Sequence, residues 1–188
     1  MPIQVDRDRQ RARVIELATH VVATEGVSAL TFRRVADVAG SSTAIVSTYF
    51  TGKRDLLLST LRAAATRTSV RFETAAGDGD LAAALQAWLP LDDERRTDWR
   101  VIISFWGIAV TDAELAQVQD GHVGRARARV ERLLRDEPVG PRGTSALAHQ
   151  IVAMTLGIAL QAVFAPGGMS ARRQRALLTD GLNALLRR

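Results

Sequence analysis

The chain has 188 residues, 47% hydrophobic and 24% charged, with a formal net charge of +5 and a sequence pI near 11.0. That length allows one large or two small domains with a substantial core, and the absence of cysteine excludes disulfides and thiolate metal sites and fits a cytoplasmic setting. The first residues are charged and lack the apolar core of a signal peptide, and the longest apolar run, 151–165, falls short of the roughly 20 residues that span a bilayer, so no membrane partner is expected.

Apolar spacing predicts a first helix over 8–25, with Val14, Leu17, Ala18, Val21 and Val22 on one side and Gly26 at its end. A second helix follows Thr31, a good N-cap, and carries Phe32, Val35, Ala36 and Val38 on its apolar face. Gly40 suits the left-handed residue that closes it. Ser42 is expected to cap a third helix over 43–49, with Ile45 and Val46 inward and Thr43, Ala44, Ser47 and Thr48 outward. Two helices on a tight glycine turn, the second with a small polar outer face, form the helix-turn-helix pattern. Such a face lets a helix lie close to base edges in a DNA major groove, so Thr43, Ala44, Ser47 and Thr48 are the candidate readers, with Ser42 at the cap also counted in the DNA-binding set. Thr31, Arg34, Tyr49 and Lys53 are candidate phosphate contacts, which set position rather than sequence. An ordinary helical hairpin would fit the same spacing.

A long fourth helix is predicted over 53–74. The loop 76–80 has two Asp and two Gly but lacks the further ligands of a calcium loop, and reads as a solvated turn. A fifth helix, 81–89, is stopped by Pro90. Asp92 or Asp93 caps a sixth that reaches 110 and is apolar nearly all round, which predicts burial on every side. Thr111-Asp112-Ala113-Glu114 has the form of a capping box for a seventh helix, reaching 136 and ending in an arginine-rich face. Pro138, Gly140, Pro141 and Gly143 make a loop, Thr144 is expected to cap an eighth helix to 164, and Ser170 a ninth after Pro166-Gly167-Gly168. No strand pattern or repeat is present. The fold class is therefore all-α with about nine helices, in two parts: a helix-turn-helix DNA-binding domain over 1–52 and a larger helical domain over 53–188.

Glu25-Gly26-Val27, Thr31, Val35-Ala36, Ala39-Gly40, Ser42, Tyr49-Phe50, Lys53 and Leu56 stand at the spacing of the TetR family's DNA-binding domain, which this segment resembles. The string 42–50 is similar to the BetI-like branch of that family. So are Leu89-Pro90-Leu91-Asp92-Asp93, Asp112-Ala113-Glu114-Leu115 and Gly157-Ile158-Ala159-Leu160-Gln161-Ala162 further on, and the resemblance covers nearly the whole chain. Departures are Ser41, Ser47 and Leu156, where many members carry Val, Tyr and an acidic residue.

The resemblance implies a ligand-responsive transcriptional regulator, a repressor that binds a palindromic site on double-stranded DNA as a homodimer and is released by a small-molecule effector. It also implies a ligand pocket among helices 4 to 8, for which Trp88, Trp99, Phe105, Trp106, His122 and Met154 are candidate lining residues. A choline-like cation would call for an aromatic cage. The last two helices would make the dimer interface, with candidates Leu156, Leu160, Val163, Phe164, Leu178, Leu182 and Leu185. An enzyme, with His122 beside Glu114 or Asp120 as an acid–base pair, and an effector-free DNA-binding protein are the alternatives. No metal, cofactor or nucleophile motif appears, and His20, His122 and His149 are not spaced as ligands.

Overall fold

A computed structural model describes residues 2–77, 79–135 and 143–186. Among them are nine α-helices: α1 (Pro2–Glu25), α2 (Phe32–Ala39), α3 (Thr43–Tyr49), α4 (Lys53–Ala75), α5 (Leu81–Trp88), α6 (Asp93–Ala109), α7 (Ala113–Leu133), α8 (Gly143–Phe164) and α9 (Ala171–Leu186). A 3-10 turn, Val27–Ala29, links α1 to α2, and no strand occurs among the described residues. The expected Asp78 of the first loop and Asp136, Pro138, Gly140 and Pro141 of the second lie outside the described residues. Helix α1 starts six residues before the predicted helix does, because proline at a first helical position is already set to a helical φ and helix needs no apolar face to begin.

The caps explain most helix starts and correct three expectations. Thr31 accepts from the Arg34 amide at 3.0 Å, and Asp92 accepts from the Arg95 amide at 2.9 Å. Helix α7 is capped by Asp112, not Thr111: its carboxylate accepts from the Leu115 amide at 3.1 Å. Glu114 therefore does not reach back as a capping box would; Arg54 holds it instead, at 2.7 Å. Ser42 occupies the cap position of α3 without a side-chain bond, and Thr144 lies inside α8, which already begins at Gly143. Ser170 caps α9 through the Arg173 amide at 3.3 Å.

Gly40 closes α2 at φ 62°, ψ 34°, left-handed as its position demands, with nothing within 4 Å of where a Cβ would stand. Gly40→Ala is expected to cost about 1 kcal/mol through backbone strain alone, and Gly40→Asn less, read as shifts in urea midpoint. Gly181 is different: a Cβ there would run into Met154 Sδ, so α9 crosses α8 closely at that point.

The apolar residues collect in two cores. One holds Val14, Ala18, Val21 and Val22 of α1, Val35 and Ala36 of α2, Val46 and Phe50, Leu56, Leu57 and Leu61 of α4, Val101 and Phe105 of α6, and Leu115 of α7. The other joins α4 to α9 around Phe72, Leu85, Trp88, Trp99, Ile151 and Leu178. Phe72 stacks on Trp88 at 4.3 Å between centroids, adding about 1 kcal/mol to the burial of both rings. Helix α8, at 22 residues, is long and apolar enough to cross a membrane, more so than the run read in the sequence. Its Leu147, Ile151, Val152, Ile158, Ala159 and Ala162 are buried in the second core, against neighbours that include α7, α6 and α9. Gln174, also buried, donates to the Met169 carbonyl at 2.9 Å and the Pro90 carbonyl at 3.4 Å, tying α9 to the α5–α6 link.

Candidate nucleic-acid interface and ligand cavity

Helix α3 is anchored by Val46, 1% exposed, and by Phe50 at its end. Thr43, Ala44, Ser47 and Thr48 are all exposed on its outer side, and Ser42 with them. Ile45 is 43% exposed, not inward as expected: in a seven-residue helix only the Val46 side meets the core, and Ile45 sits at the mouth of a crevice with Arg13 and Leu17 of α1. Ser47 and Thr48 hydroxyls donate back to the Ala44 carbonyl at 3.0 and 2.8 Å. Their hydrogens are thus turned inward and their lone pairs outward.

The expected phosphate contacts differ in their present bonds. Thr31 is exposed and Tyr49 half-buried against the first core. The Lys53 ammonium donates to the Ser28 carbonyl at 3.2 Å, tying α4 to the 3-10 turn. Arg34 is held by Glu25 in a forked pair, at 2.8 and 2.9 Å, which keeps the carboxyl below and the guanidinium above their ordinary pKa ranges, hydrogen bonding being the main cause. Its neighbour Arg33 is exposed and pairs with no carboxylate among the described residues. Reading the sequence singled out Arg34 and passed over Arg33; a second arginine in the same first turn was the available signal.

A half-open cavity of about 100 Å³ lies between α4, α5, α6, α7 and α8. Its wall includes Leu61, Ile102 and Leu156 together with Trp88, Trp99 and Trp106, and its polar side is Thr68 and Ser69 of α4 with Gln119, His122, Arg125 and Arg129 of α7. Trp99 and Trp106 meet edge to face at 6.0 Å. The Trp99 indole N–H donates to the Trp88 carbonyl, whereas the Trp106 N–H is buried and has no acceptor among the described residues. His122 titrates below its ordinary value, chiefly through burial and then through Arg125, Arg129 and Arg62. Of the expected lining residues, Trp88, Trp99, Trp106 and His122 come together here. Phe105 does not: one turn of α6 is shared between two cores, and Phe105 takes the side facing α1 and α4. Met154 lies against Gly181 instead. His122 has neither expected acid beside it, since Glu114 is bound to Arg54 and Asp120 is exposed and outside the cavity wall.

The expected interface residues also divide. Phe164 is 71% exposed, and Leu160, Val163 and Leu185 are partly exposed, with Leu177 at 39% beside them on α9. Leu178 and Leu182 are buried within the chain against the second core, so they face away from any partner. Leu156 turns to the cavity. A leucine-rich helix of this kind has two apolar sides, and spacing alone does not say which one the chain itself covers.

Comparison with known proteins matches two stretches of the chain. Residues 14–60 match the family of bacterial regulatory proteins named tetR, and residues 78–187 match the C-terminal domain of BetI-type transcriptional repressors. The chain is 25% identical to the HTH-type transcriptional regulator BetI of Vibrio atlanticus, over 95% of this chain and 92% of that one. Among solved structures, it shares its fold with a transcriptional regulator from Rhodococcus at a TM-score of 0.85 and 24% identity, covering 94% of this chain and 96% of the other. A regulator from Saccharomonospora viridis, solved in complex with choline, gives a TM-score of 0.83 at 20% identity, with 94% and 96% covered.

Proposed function

Because the chain belongs to the TetR family of transcriptional regulators, with a BetI-type C-terminal domain, we propose that it is a cytoplasmic repressor that binds a palindromic operator as a homodimer and lets go when a small molecule fills the cavity. In this reading residues 1–52 supply the DNA contact and 53–188 the ligand and dimer surfaces. The observation that carries it is the first core, in which α3, α4 and α6 share one set of buried side chains while α4 and α6 also wall the cavity.

Small polar side chains on α3 would read base edges, with Thr31, Arg33 and Lys53 on phosphates. Two copies joined through the α8 and α9 faces that carry Phe164 and Leu177 would present two α3 helices to successive major-groove faces, roughly 34–36 Å apart or a multiple of it. Arg54, next to Lys53, binds both Asp112, at 2.9 Å, and Glu114, and so ties the start of α4 to the α6–α7 corner. Its hydrogen bond, with that of the Leu115 amide, holds the Asp112 carboxyl down to about 2. A ligand that spreads α4 from α6 or α7 would move this corner and change the spacing of the two recognition helices. A preference of roughly 1–3 kcal/mol for the DNA-incompetent state suffices for regulation. The choline complex of the Saccharomonospora viridis relative supports a ligand-binding role.

Fluorescence anisotropy against labelled DNA tiled from the region flanking the gene, at two salt concentrations and with scrambled competitor, tests the reading. Tight binding to one palindromic tile is expected. Equal binding to all tiles, lost with salt, is the sequence-independent phosphate term alone and would overturn it.

A further inference from the structure

The cavity's chemistry points to the charge of what it binds, and this rests on the regulator reading above. We infer that the ligand is an anion with an apolar body, a small carboxylate in kind, and not a choline-like cation.

Three tryptophans with Leu61, Ile102 and Leu156 make the wall, which suits an apolar or aromatic body. Such a wall would also suit a quaternary ammonium, so the polar side decides. Among the described residues no Asp or Glu lines the cavity, and its ionisable groups are His122, Arg125 and Arg129. The cavity runs into a groove between α4 and α7 through Ala65, Ser69, His122, Arg125 and Arg129, which line both, and the groove adds Arg62. The one carboxylate in the groove among the described residues, Glu73, is already bound to Arg129, at 3.0 Å, and to Arg132. Neither Arg62 nor Arg125 pairs with a carboxylate among the described residues. A cation entering here would meet Arg125, which no carboxylate among the described residues neutralises, while an anion would gain charge-assisted bonds from its guanidinium fork.

One further observation agrees. His122 already registers the site's aversion to positive charge, for burial and the arginines around it disfavour its proton. The same forces act on any cation placed beside it.

All three tryptophans of the chain line the cavity, so intrinsic emission excited at 295 nm reports this site alone. Phenylacetate, its uncharged amide phenylacetamide, and choline are titrated into the full-length protein. Saturable quenching by phenylacetate, at least tenfold tighter than by the amide and absent with choline, is expected. Arg125→Gln should bring acid and amide together, Arg125→Lys should restore part of the difference, and a melting curve confirms that both variants fold. Choline bound more tightly than the acid, or no preference for the acid over its amide, overturns the inference. The operator assay separates the two readings: specific DNA binding without acid preference leaves the regulator standing and removes the anion, and acid preference without DNA binding does the reverse.

Discussion

Thr43→Ala, Ser47→Ala and Thr48→Ala combined are expected to abolish specific operator binding, a loss of a hundredfold or more, while the protein melts where it did. The two effects separate because of where these side chains stand. All three are exposed on α3, so their removal opens no cavity in the first core. Ser47 and Thr48 bond only to the Ala44 carbonyl, and alanine is the better helix former by about 0.5 kcal/mol, so α3 keeps or gains stability. Against DNA each lost base-edge contact costs about 1–3 kcal/mol. With their hydrogens turned to Ala44, the two hydroxyls offer acceptors outward, which match the amino groups of adenine or cytosine. Anisotropy on the operator tile together with a circular-dichroism melt reads both quantities. Retained specific binding by a folded triple variant would remove α3 as the reading helix.

Asp98→Asn is expected to destabilise the fold by about 3 kcal/mol, a large effect for the exchange of one oxygen for an amide nitrogen. Asp98 is 1% exposed and receives Arg67 at 2.9 Å on one oxygen and Arg71 at 2.6 Å on the other. An amide keeps the shape but loses the charge and offers one oxygen in place of two, leaving partly buried guanidinium groups without compensation. Arg67 and Arg71 keep side-chain exposures of 33% and 20%, so water returns part of what is lost and the figure stays at the lower end of the usual range. Glu94, 75% exposed and 3.2 Å from Arg71, is the control: Glu94→Gln should change stability by less than about 0.5 kcal/mol. Urea unfolding distinguishes them, and equal midpoints for the two variants would show that the buried carboxylate is not what holds α6 to α4.

Local chemistry was legible around the turn, although Ser42 makes no side-chain cap bond and Ile45 is exposed. The bounds of α3, the turn at Gly40, the cap at Thr31 and the outward face of Thr43, Ala44, Ser47 and Thr48 follow from side chains within a few residues of one another. Long-range choices were not. Nothing near Glu114 in sequence reveals that Arg54, 60 residues away, will take it from the capping box. Nothing near Phe105 or Leu178 says which of two apolar sides the chain will cover, and both turned to a core rather than to a ligand or a partner. The aromatic composition of the cavity was readable, since three tryptophans are few and stand on the right helices. Its charge was not, because Arg62, Arg125 and Arg129 look like surface residues until α4 and α7 are laid side by side.

The shared first core has an evolutionary consequence. A family that keeps one architecture while changing its operators would change them most simply by exchanging whole N-terminal segments. Here a crossover at residue 52 would set Val21, Val46 and Phe50 from one parent against Leu56, Val101, Phe105 and Leu115 from the other. Close packing tolerates such mixing poorly, with mismatched volumes costing about 1–3 kcal/mol at each site. Point changes on the exposed face of α3 carry no such cost, because no neighbour within the chain has to change as well.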